Sequence, residues 1–139
     1  MKRVAVLVVL ALALTAPSAL AAARMSAPAA AKIGSHITVS ASGLKPGHYT
    51  LELAVEILPG GASPTNCVGR VGTATAVGGH LRITGKLPGH LACYQGVGAA
   101  GGHKTTTPGN YHLSLGVSFA PNGFSESGSF VMRKIHLTS

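Results

Sequence analysis

Pro46-Gly47-His48-Tyr49-Thr50-Leu51-Glu52-Leu53-Ala54-Val55 returns later in the same chain as Pro108-Gly109-Asn110-Tyr111-His112-Leu113-Ser114-Leu115-Gly116-Val117. In each copy a Pro-Gly turn signal opens a run with large apolar residues at every second position. Tyr49, Leu51, Leu53, Val55 and Ile57 form one such set, and Tyr111, Leu113, Leu115, Val117 and Phe119 the other. A period of two places each set on one face of an extended strand and the intervening residues on the other. The repeat is either an old internal duplication or one solution used twice. Both cases predict an antiparallel sandwich, because each apolar strand face needs another apolar face against it.

Working outward, His36-Ile37-Thr38-Val39-Ser40-Ala41 is an alternating, β-branched strand that ends at the turn signals of Gly43 to Gly47. Gly78-Gly79 suits a two-residue hairpin loop. That hairpin would pair Thr75 with Arg82, Thr73 with Thr84, Ala76 with Leu81 and Ala74 with Ile83. Its apolar pairs would face inward and its polar pairs outward. Gly72 opposite Gly85 would leave a bare spot. Leu91 to Tyr94 is a short strand, and residues 96–110 form a long Gly/Thr-rich loop. Asn122-Gly123 and Gly128 mark a turn before a last strand from Phe130 to Leu137. No helical periodicity is sustained after the N-terminal segment. The prediction is all-β: an antiparallel immunoglobulin-like β-sandwich of six or seven strands, one domain over residues 36–139.

Residues 1–23 carry the layout of a secretory signal peptide. Lys2 and Arg3 precede an apolar run from Val4 to Ala16, and small residues end at Ala19-Leu20-Ala21-Ala22-Ala23. Cleavage follows Ala21 or Ala23, each of which ends an A-x-A-like triplet. The run is short of the roughly 20 apolar residues of a membrane-spanning helix, so no transmembrane anchor is expected after cleavage. Residues 24–35 read as a flexible lead-in. From Arg24 onward there are nine Lys/Arg, three Glu and no Asp, a net charge of +6. Leu, Ile, Val and Phe make up 26 of those 116 residues, so the core is lean. Cys67 and Cys93 are the only cysteines, and an even pair in an exported chain reads as a disulfide. Closing that loop contributes about 3.5 kcal/mol by chain entropy.

The strand count together with Ser42-Gly43-Leu44-Lys45-Pro46-Gly47-His48-Tyr49-Thr50-Leu51 resembles the small immunoglobulin-like domains of exported bacterial proteins. The likeness runs over residues 36–138. The two-disulfide antitumour chromoprotein carriers look similar in outline, but this chain has one cysteine pair. Immunoglobulin domains join facing strands by a disulfide packed on a Trp. This chain has no Trp, and Cys67 follows a loop. The resemblance implies a scaffold and carries no catalytic residue across.

Chemistry-bearing sets are sparse. Glu52, Glu56 and Glu126 are the only acidic side chains; the first two lie about 13 Å apart along one strand face, too far to act as a pair. His36, His48, His80, His90, His103, His112 and His136 show no H-x-H or H-x-x-x-H spacing. Gly96 to Gly101 imitates a G-x-G-x-x-G fingerprint but lacks the following helix and the acidic ribose partner. The basic residues are spread along the chain without interleaved aromatic platforms, which argues against nucleic acid. The expected protein is a non-catalytic binding or structural module, secreted or in the bacterial cell envelope, without cofactor. Its partner would be a protein or an anionic envelope polymer held by weak, salt-sensitive contacts. The expected partner surface is the loop bearing His103, Lys104, Thr105 and Thr106. The alternative is an extracytoplasmic copper-binding protein using surface histidines, with Met25 and Met132 as soft ligands.

Overall fold

A computed structural model describes residues 22–55, 65–95, 99–119, 123–124 and 128–139. Ile57, Glu56, Glu126, Asn122 and most of the signal-peptide segment lie outside the described residues. In chain order the strands are β1 (Arg24–Ser26), β2 (Ala30–Lys32), β3 (His36–Ser42), β4 (His48–Val55), β5 (Thr65–Thr75) and β6 (Leu81–Lys86). They continue as β7 (His90–Gln95), β8 (Ala99–Thr105), β9 (Gly109–Gly116), β10 (Ser118–Phe119), β11 (Gly123–Phe124) and β12 (Val131–Thr138). The fold is all-β. A three-stranded sheet has the order β1-β3-β6, a seven-stranded sheet the order β2-β12-β9-β4-β5-β7-β8, and β10 and β11 form a separate ribbon. All pairs are antiparallel except β12 with β2.

The repeated stretches are β4 and β9, and they are neighbours in one sheet. Leu51 is opposite Leu115, Leu53 opposite Leu113 and Val55 opposite Tyr111. Their shared apolar face is covered by the other sheet through Met25, Ile37, Val39, Ala41, Leu81 and Ile83, all buried in one core cluster. Each copy also closes its own turn. The Tyr49 hydroxyl donates to the Lys45 carbonyl at 2.8 Å, and the Tyr111 hydroxyl to the Thr107 carbonyl at 2.9 Å. Tyr49 further accepts the Ser129 N–H at 3.1 Å, whereas Tyr111 accepts the Thr107 N–H at 3.1 Å. The Pro-Gly-x-Tyr phrase is therefore a corner, in which the ring is buried and the phenol satisfies the backbone just upstream.

Three expectations need correction. The lead-in at 24–35 holds β1 and β2, because Met25 is an apolar residue between polar ones and buries to 4% exposure against Ala41. The strand segments accordingly exceed the six or seven expected. The Gly78-Gly79 turn forms, with φ of 59° and 79°, and Val77 pairs with His80. The hairpin stops there: β5 stays in the large sheet while β6 crosses to β3, pairing Ser40 with Arg82 and Thr38 with Thr84. The inward and outward sorting of these residues holds, but Gly85 pairs with Ile37 on β3, and across the layers Gly72 packs on Ile83 and Gly85 on Val71. A Cβ at Gly72 would lie 2.6 Å from the Ile83 Cγ2, and one at Gly85 would collide with the Val71 carbonyl. Two missing side chains let the layers meet where the chain changes sheet.

The third correction concerns residues 96–110. Residues 99–105 are β8, the edge strand beside β7. Gly and Thr conceal a strand that alternation cannot reveal. The expected Cys67–Cys93 disulfide is present, and it joins direct partners on adjacent strands of one sheet. The bond does not join the two layers as in an immunoglobulin domain.

Candidate functional site

The small sheet buries one face and displays the other. In β3, Ile37, Val39 and Ala41 turn inward while His36, Thr38, Ser40 and Ser42 turn outward. In β6, Leu81 and Ile83 are buried and Arg82, Thr84 and Lys86 exposed. Register assembles the outer residues into rows. Ser42 lies beside Arg24 with His80 just beyond Leu81, Ser40 lies between Ser26 and Arg82, Thr38 beside Thr84, and His36 beside Lys86. The Thr38 and Thr84 hydroxyls meet at 2.9 Å. Cations and hydroxyls fill this face, and among the described residues no carboxylate lies on it. Rows are spaced about 6.6 Å apart along the strands, so Arg82 and Lys86 stand about 13 Å apart.

The face ends in a groove between the sheets. A hollow of about 380 Å³ is lined by Arg24, Arg133, His80 and the serines at 26, 40 and 42. A second, of about 340 Å³, shares Arg24, Met25 and Arg133 and adds Met132. Arg133 belongs to β12 and shares the parity of the buried Ile135 and Leu137, so it points toward β1 at the open end of the core. Both guanidinium groups are exposed. The structure thus brings Met25 and Met132, the expected soft ligands, to one hollow. Arg24 and Arg133 in the same wall repel a metal cation and favour an anion.

The only carboxylate side chain among the described residues is Glu52, on the far layer. It shares the outer side of β4 with Thr50, which is 3% exposed, and stands opposite Arg70 on β5 and Ser114 on β9. Partial burial pushes the Glu52 carboxyl above the ordinary glutamate range, and the Arg70 charge pulls it part of the way back. The described carboxylate therefore lies on the large sheet beside Arg70, while Arg24, Arg82 and Lys86 share the small sheet's outer face with hydroxyl side chains and no carboxylate of the described residues.

The histidines do not converge. His48 Nδ1 bonds the Thr75 hydroxyl at 3.0 Å, and His136 Nδ1 bonds Asn110 Oδ1 at 2.8 Å. His112 lies opposite Ala54, six positions from His48, or about 20 Å along the strand. Among the described residues no group of three His, Cys, Asp or Glu could hold a metal. Of the expected partner loop, His103, Lys104 and Thr105 are exposed on β8. Thr106 is buried, and its hydroxyl donates to the Pro88 carbonyl at 2.8 Å, so it serves the fold. The residues missed by sequence reading are Arg24 and Arg133. The polar–apolar–polar order of Arg24-Met25-Ser26 was the available signal; the placement of Arg133 depends on a contact between sheets that no local pattern carries.

No family model matches the chain, and no curated protein does. Among solved structures, one titled macromomycin superposes with a TM-score of 0.56 at 21% identity, covering 84% of this chain and 100% of that one. At that identity the similarity concerns the fold alone.

Proposed function

We propose that this chain is an exported, non-catalytic, immunoglobulin-like binding module of the cell envelope, and that the outer face of its small sheet holds anionic polymers. The observation that carries this is the run of Arg24, His80, Arg82, His36 and Lys86 among Ser and Thr hydroxyls. An open sheet face with regularly spaced donors suits an extended polyanion better than a compact ligand. Export is supported by the leader-like residues 1–23 and by the Cys67–Cys93 bond, which is consistent with an oxidising compartment. The immunoglobulin-like reading is supported by the two-sheet core and by the tyrosine corners at Tyr49 and Tyr111. With no Asp in the chain and three Glu, hydrolase chemistry has little to work with.

Salt tests the proposal directly. The screening length falls from about 30 Å at 0.01 M to about 8 Å at 0.15 M. Capture of the protein on purified envelope polymer should weaken at least tenfold across that range, and Arg82→Gln/Lys86→Gln should weaken it at low salt. Absent binding at low salt, or binding indifferent to salt, would refute the proposal.

A further inference from the structure

We infer that the groove where Arg24 and Arg133 meet is a phosphoryl site, which takes one phosphate of a phosphodiester-linked polyol polymer while the rows beside it hold the polymer's run. This rests on the reading of the small sheet's outer face as a polyanion surface, and adds the chemical class of the anion.

Three observations carry it. First, the two guanidinium groups reach the same hollow from different sheets, Arg24 from β1 and Arg133 from β12. A planar carboxylate offers both oxygens to a single fork. A tetrahedral phosphate presents oxygens in several directions and can be held by two forks at once. Second, the hydroxyls of Ser26, Ser40 and Ser42 line the same hollow and can donate to further phosphate oxygens, and no carboxylate of the described residues competes. Third, the neighbouring hollow continues along Met25 and Met132. Of these, Met132 is 47% exposed and gives the carbon segments between phosphates an apolar contact. At about 380 Å³ the first hollow is at the small end of ligand sites, with room for a phosphate and an adjoining polyol unit.

The test compares soluble poly(glycerol phosphate) with polygalacturonate of matched charge number, by titration calorimetry at low salt. The wild-type protein should bind the phosphate polymer at least tenfold more tightly. Arg24→Lys/Arg133→Lys keeps both charges and removes both forks; it should bring the affinity ratio to about one while leaving the salt dependence in place. Arg82→Gln/Lys86→Gln should weaken both polymers and keep the ratio. All four side chains are exposed, so folding is checked by circular dichroism. A wild-type ratio near one, or a preference surviving in the double-lysine protein, overturns the phosphoryl site and leaves the polyanion face standing. Retention on phosphatidylglycerol vesicles with no binding of the soluble phosphate polymer also overturns it, in favour of a lipid surface. No binding of either polymer or the vesicles removes the polyanion face and the phosphoryl site together.

Discussion

Replacing Tyr49 and Tyr111 by Phe, singly and together, separates two corners that look alike in sequence. Each substitution deletes a phenol that donates to the carbonyl four residues upstream and accepts one backbone N–H. At Tyr111 both partners belong to Thr107, which is exposed and can rehydrate, so the loss is about 1 kcal/mol. At Tyr49 the accepted N–H is that of Ser129, 80 residues away and half-buried, and stranding it raises the cost to about 2 kcal/mol. For a domain of this size that corresponds to about 4 °C and about 8 °C in Tm. The two sites lie about 20 Å apart along paired strands, so the double variant should lose about 3 kcal/mol. Urea unfolding of the oxidised protein measures all three. Amide exchange adds a local readout: Ser129 should lose protection in Tyr49→Phe and keep it in Tyr111→Phe. A Tyr111→Phe cost equal to or above that of Tyr49→Phe, or an unmoved Ser129 amide, would refute the distinction.

Gly85→Ala should destabilise by about 3 kcal/mol, the upper range for overpacking, since its methyl meets the Val71 backbone; Gly72→Ala should cost less because the Ile83 side chain can turn away. Urea midpoints in reverse order would contradict that. Glu52 imposes a pH dependence of definite sign. Its carboxyl is raised in the folded state, so its contribution to stability is full below the ordinary glutamate value near 4.3 and is lost as pH rises through the higher folded value. Glu52→Gln should match the wild type near pH 4 and exceed it at pH 7 in urea unfolding; a variant weaker at pH 7 would show that the Arg70 attraction outweighs desolvation.

The core of this protein is legible where alternation is strong. β4 and β9 announce their buried residues, and β3 and β6 sort polar from apolar as read. What is not legible is which strand lies beside which. A hairpin signal at Gly78-Gly79 specifies a tight turn, yet local sequence cannot say that the next strand changes sheet; Gly72 against Ile83 and Gly85 against Val71 make room for that crossing, visible only in three dimensions. β8 escapes notice because Ala99-Ala100-Gly101-Gly102 has no apolar period to detect. The basic residues show the same limit. Arg24, Arg82 and Lys86 look scattered along the chain, and antiparallel register gathers them onto one face.

The sulfur bridge sits one strand in from a margin: Cys67 and Cys93 tie β5 to β7, and only β8 lies beyond. It works like the stitched selvedge of a cloth, stopping the weave from unravelling sideways without sewing front to back. The bond therefore secures the sheet's border and leaves the joining of the two layers to the apolar interior. A reduced molecule would fray at this border and leave the cationic side, on the opposite layer, intact.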